Sequence, residues 1–143
     1  MTQPQRPDVV EVIAVQLIGS DASVIPVSTE FSFRANDPYT VRAVFTGAQS
    51  VSAWLLGREL LADGLNAAAD DPAGNGDVQV WRDEDPDYVL ISLSGVEGNA
   101  LLAAPTEPLL RFISRTEALV PIGAESDRME SEVAALIAAL LTT

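Results

Sequence analysis

The side chains with most scope for chemistry are carboxylates. Asp and Glu number 21, against 8 basic residues that are all Arg. Two stretches gather the oxygen ligands that a hard cation takes: Asp83-Glu84-Asp85-Pro86-Asp87, and Asp70-Asp71 with Asn75-Gly76-Asp77. The first lacks the central Gly and the distant Glu of a calcium loop. Asn-Gly and Asp-Pro are turn chemistry before they are ligand sets, so both stretches read as solvated loops. Gly74-Asn75-Gly76 lacks the third Gly and the following helix of a dinucleotide loop. Any two carboxylates could share acid–base work in a cleft, but no spacing nominates a pair. With no Cys and no His, thiolate chemistry, zinc sites of the usual kind and His-dependent triads are excluded. The expectation is a protein without catalytic residues, metal or cofactor, and not an enzyme.

Binding chemistry remains. Trp54 and Trp81 could stack bases, as single-strand binders do, yet neither has a basic groove beside it, so core packing is the better reading. Arg34 and Arg42 lie in FSFRANDPYTVRAVF (Phe31 to Phe45) and share a parity about the Asn36–Pro38 turn, which puts both on one polar face. They are candidates for a patch that meets an acidic partner. The alternative is that they pair with neighbouring carboxylates on a solvated face. Gly123, in Pro121-Ile122-Gly123, stands where a positive φ or a close backbone approach is plausible, and it is the third partner-contact candidate.

The elements that must hold these residues follow from composition and period. At 143 residues, with 48% apolar and 20% charged, the chain makes one globular domain: residues 9–143 behind a flexible leader, residues 1–8. The formal charge of −13 repels phosphate backbones and anionic membrane surfaces, so nucleic acid is not an expected partner. MTQPQRPD has no apolar core of a signal peptide, and no apolar run reaches membrane-spanning length, so a cytoplasmic protein without direct membrane insertion is expected.

Val9 to Ile18 reads as a strand apolar on both faces, to be covered by a core on one side and a helix or second subunit on the other. Ile25, Val27, Thr29, Phe31 and Phe33 form the inward face of the next strand, and Tyr39, Val41, Ala43 and Phe45 that of its hairpin partner. Val51 to Leu61 takes a helical period, with Ser50 or Ser52 as cap and Gly64 as terminator. Strands at Asp77 to Arg82, Tyr88 to Ser94 and Ala100 to Ala104 lead into a helix capped by Thr106. A last amphipathic helix, capped by Ser126, carries Met129, Val133, Leu136, Ile137, Leu140 and Leu141 as its stripe. That stripe either closes its own domain or docks a partner. The fold class is α+β: two β-β-β-α units with antiparallel sheets, plus the C-terminal helix.

Taken in order, several segments resemble the SsgA-like proteins, the sporulation-specific cell-division family of filamentous actinomycetes (actinobacteria), and within it the SsgB type. They are DPYTVRAVF (Asp37 to Phe45), VSAWLLGRELLADGL (Val51 to Leu65), GDVQVW (Gly76 to Trp81), ISLSGVEGNALLAAP (Ile91 to Pro105) and RFISRTEALVPIGAE (Arg111 to Glu125). The resemblance implies a non-enzymatic regulator at the sporulation septum, helping to place the tubulin-like GTPase FtsZ through protein contacts, with family paralogues among its partners. It also implies a Whirly-like fold assembled as a homotrimer. Whirly proteins bind single-stranded DNA through basic surfaces, which makes a single-stranded nucleic-acid binder the rival reading. The strong negative charge argues against it.

Overall fold

The computed structural model describes residues 6–74 and 76–141, and of residues 126–132 the backbone only. Among these residues seven strands and three helices follow in the order β1 (Val9–Ile18), β2 (Val24–Arg34), β3 (Asp37–Thr46), β4 (Val51–Gly57), α1 (Arg58–Gly64), β5 (Val78–Arg82), β6 (Tyr88–Gly95), β7 (Gly98–Pro105), α2 (Thr106–Leu119) and α3 (Glu125–Leu141). All strands join one antiparallel sheet, ordered β4-β3-β2-β1-β7-β6-β5.

The class is therefore α+β, but the two expected β-β-β-α units are not equal. The first has four strands, because Val51–Gly57 is a strand and not the start of a helix. Its apolar positions satisfied a helical template, yet the backbone pairs residue for residue with β3, from Thr46↔Val51 to Thr40↔Gly57. A short apolar run fits either period, and here the neighbouring strand decided. Ser50 and Ser52 consequently cap nothing: α1 begins after Gly57, which makes no side-chain cap.

Two meanders, β1 to β4 and β5 to β7, meet only where Gln16, Leu17 and Ile18 pair with Ala103, Leu102 and Leu101. So short a seam lets the sheet curl. Ile13, Val15, Phe31, Phe33 and Val41 of one meander and Val80, Val89 and Ile91 of the other bury their side chains in one core. Helix α2 plugs it with Leu109, Phe112 and Ile113, and the Phe112 ring lies 5.8 Å from that of Phe31. Glu11, the charged residue on the inward parity of β1, meets Arg111 and Arg115 of α2 at 3.1 and 3.0 Å.

The inward faces predicted for β2 and β3 hold except at their ends. Ile25 is exposed, as is Tyr39, while Pro38 is buried. Pairing jumps from Phe33↔Val41 to Arg34↔Asp37, leaving Pro38 to Thr40 unopposed, and such an irregularity resets which side chains face inward. Thr106 does not cap α2; its hydroxyl donates to the Pro86 carbonyl at 2.9 Å and ties the helix start to the β5–β6 turn. Gly64 ends α1 within the helix, packed so close to β5 that a Cβ there would lie 2.2 Å from Val80 Cγ1.

Candidate interaction surface

The outward face of the β4-β3-β2-β1 meander carries the two arginines. Arg42 stands between Ser32 of β2 and Leu55 of β4 in register, and Arg34 sits at the tight turn opposite Asp37. Both line a shallow depression of about 350 Å³, together with Glu30, Asp37, Thr40 and Leu55. Among the described residues no hydrogen bond or ion pair engages either guanidinium, although two carboxylates share the depression. The register thus brings together what the strand parity predicted. Asp8 braces this corner: its carboxylate accepts from the Ala35 N–H at 2.7 Å, and its own N–H donates to the Phe33 carbonyl at 2.8 Å.

Gly123 lies elsewhere, in the connector between α2 and α3. Its φ is +96°, the left-handed region that glycine enters without cost, and a Cβ there would meet nothing within 4 Å. Its N–H donates to Glu125 Oε2 at 2.9 Å. The other oxygen of that carboxylate accepts from Arg58 Nη2 at 2.6 Å. Arg58 is only 1% exposed; its Nη1 donates to the carbonyls of Thr116 and Val120, and its guanidinium carbon lies 5.0 Å from the Phe33 ring centroid. One buried cation therefore joins the start of α1, the end of α2 and the start of α3.

Burial pushes the Glu125 carboxyl up. The Arg58 hydrogen bond, the backbone N–H groups of Glu125 and Gly123 and the Arg58 charge outweigh it, holding the carboxyl below the ordinary 4.5. Sequence reasoning missed Arg58. Its one visible signal was an Arg framed by apolar residues in AWLLGRELL, a pattern that a solvated helix face produces equally well.

The remaining candidates are scattered. Trp54 packs partly against the core and lines an apolar groove of about 570 Å³ between the ends of the two meanders, whereas Trp81 and Arg82 border a different hollow. The Asp83–Asp87 segment forms a turn in which Asp85 accepts from the Asp87 N–H at 3.0 Å. Among the described residues no cluster of acidic groups is arranged to hold a metal; Asn75 lies outside them. Ser126 and Met129, expected as cap and stripe members, also lie outside the described side chains. Val133, Leu136, Ile137, Leu140 and Leu141 are exposed, so this part of the stripe does not close the domain. No described helix is long and apolar enough to cross a membrane.

The fold has counterparts. Residues 27–125 match the family model described as Streptomyces sporulation and cell division protein, SsgA. The chain belongs to the SsgA-like family. It is of the SsgB type: it is 39% identical to the sporulation-specific cell division protein SsgB of Salinispora tropica over 136 residues, covering 90% of this chain and 92% of that one. It is 43% identical to SsgB of Streptomyces coelicolor over 114 residues, covering 78% and 80%. A solved SsgB structure from work on longitudinal cell division during S. coelicolor sporulation superposes with a TM-score of 0.75 at 40% identity, covering 83% of this chain and 93% of that one. The crystal structure of an SsgA-like sporulation-specific cell division protein from Thermobifida fusca gives 0.77 at 33% identity, covering 94% and 98%.

Proposed function

We propose that this protein is a non-enzymatic regulator of sporulation-specific cell division, cytoplasmic and acting at the division septum, where it helps to localise or recruit FtsZ through protein contacts. The relatives' names support the division role. The observation that carries the contact is the pair Arg34 and Arg42, unengaged among the described residues on one face of a chain whose net charge is −13. Acidic partners are met by local positive groups rather than by a positive total. In this reading residues 9–143 act as one SsgA-like domain of Whirly-like architecture behind a leader, residues 1–8. The outward residues of β1, with Val12 66% exposed beside Val10 and Ala14, supply the seam of a homotrimer. Gly123 sets the direction of α3, whose exposed apolar side chains are available to FtsZ or to a family paralogue.

The test is co-sedimentation with polymerised FtsZ across a salt series, run beside a single-stranded DNA binding assay. The wild-type chain should co-sediment and leave DNA free. The Arg34→Ser/Arg42→Ser variant should keep its melting temperature, since exposed charges are worth about 0–1 kcal/mol, while its binding weakens and loses salt sensitivity. Unchanged binding by the variant at low and high salt would remove the arginines from the contact. DNA binding without co-sedimentation would overturn the reading altogether.

A further inference from the structure

The two edges of the sheet are treated differently. At β5 the connector from α1 covers the edge: Ala73 and Val80 exchange backbone hydrogen bonds at 2.9 and 3.0 Å, and the Arg82 N–H reaches the Ala67 carbonyl at 2.9 Å. Along β4, among the described residues, no hydrogen bond takes the backbone groups that point away from β3. Nor does VSAWLLG carry any of the features that blunt an edge. It has no charge and no Pro, and its seven pairs with β3 run without a bulge. Extended backbone in this state is a template for one more strand.

The two faces beside that edge differ in chemistry. Inward, Ser52 and Trp54 border the apolar groove, together with Phe45, Leu93 and Leu102. Outward, Leu55 is 70% exposed and stands in register next to Arg42. The geometry points to β4 as the docking edge for an extended, acidic segment of a partner protein, added as an antiparallel or parallel strand. Apolar side chains at alternate positions enter the groove beside Trp54. Carboxylates at the intervening positions reach over Leu55 toward Arg42. This rests on the reading above, that the arginines meet an acidic partner.

An added strand lies about 9.6 Å from β3, two strand spacings, which an Arg and a Glu side chain span together. Glu30 and Asp37 in the same depression favour carboxylates at set positions over a polyacidic tract. A second copy of β4 fits less well, because it would bring no carboxylate to Arg42.

The probe is a fluorescein-labelled ten-residue peptide alternating Val and Glu, titrated with the full chain at 0.15 M salt and read by anisotropy. Two further forms carry N-methyl groups on all Val amides or on all Glu amides. In a strand these block opposite edges, so one form should bind at least tenfold more weakly and the other within about twofold. A Val–Lys peptide should also bind at least tenfold more weakly. Equal effects of the two methylations, whether both bind or neither does, overturn strand addition and leave the arginine contact to be judged by the co-sedimentation of Arg34→Ser/Arg42→Ser. Equal binding of the Lys peptide overturns the acidic chemistry. Failure of the unmethylated peptide to bind, or slow exchange in the free chain of those β4 amides that point away from β3, assigns the edge to another occupant and also overturns the proposal.

Discussion

Replacing Glu125 with Ala removes the charged partner of a cation that is almost wholly hidden. Arg58 Nη2 loses its acceptor at 2.6 Å, and the Gly123 N–H loses Glu125 Oε2. Removing one member of a buried ion pair costs about 3–5 kcal/mol. Here Arg58 keeps the carbonyls of Thr116 and Val120, and water can reach the rim of the pair, which lowers the cost to about 2–3 kcal/mol. For a domain of this size the melting temperature should fall by about 7–10 °C. Urea unfolding followed by tryptophan fluorescence should show a midpoint lower by about 1–2 M at unchanged slope. Arg58→Met/Glu125→Ala should recover part of the loss, because an apolar side chain needs no counter-charge. The folded state holds the Glu125 proton more weakly than the unfolded chain does. Its contribution is therefore complete above the ordinary 4.5 and is lost as pH falls below it. The stability gap between wild type and Glu125→Gln should accordingly close below about pH 4.5. A midpoint within about 0.3 M of wild type for Glu125→Ala, at pH 7, would refute the idea that this pair anchors the three helices.

Gly64→Ala should destabilise by about 1–3 kcal/mol in the same urea assay, since its methyl would overlap Val80 where α1 lies against β5. Gly123→Val should lower stability by about 1–3 kcal/mol from backbone strain alone, as no side chain opposes it. FtsZ co-sedimentation by that variant should fall further than stability explains, and full retention would make the connector passive. Val12→Lys, on the outward face of β1, should convert a species of about three chain masses in light scattering to a monomer, taking closed cyclic assembly as the norm. A wild-type chain that is monomeric at micromolar concentration would remove the trimer seam.

Period-2 alternation was sufficient for β2 and β3, because each places apolar side chains on a face that the fold buries, and β1 was legible as a β-branched run apolar on both faces. Alternation also placed Arg34 and Arg42 together, since parity along a hairpin is a local property. The apolar character of Val51 to Leu61 was legible but its period was not: a short apolar run satisfies both templates, and only pairing with β3 made its first seven residues a strand. Tyr39 turned outward because Pro38 to Thr40 have no opposing residues on β2, a property of register between strands that neither strand carries alone. Arg58 is the clearest case. Its hydrogen-bond partners lie 58 to 67 residues further along the chain, and they come within reach only when the curled sheet stacks the start of α1 against the end of α2. Charge count, strand parity and the left-handed glycine are written in local sequence. Which cation is buried, which edge stays open and which apolar stripe remains uncovered depend on distant segments meeting, and only the assembled tertiary structure decides them.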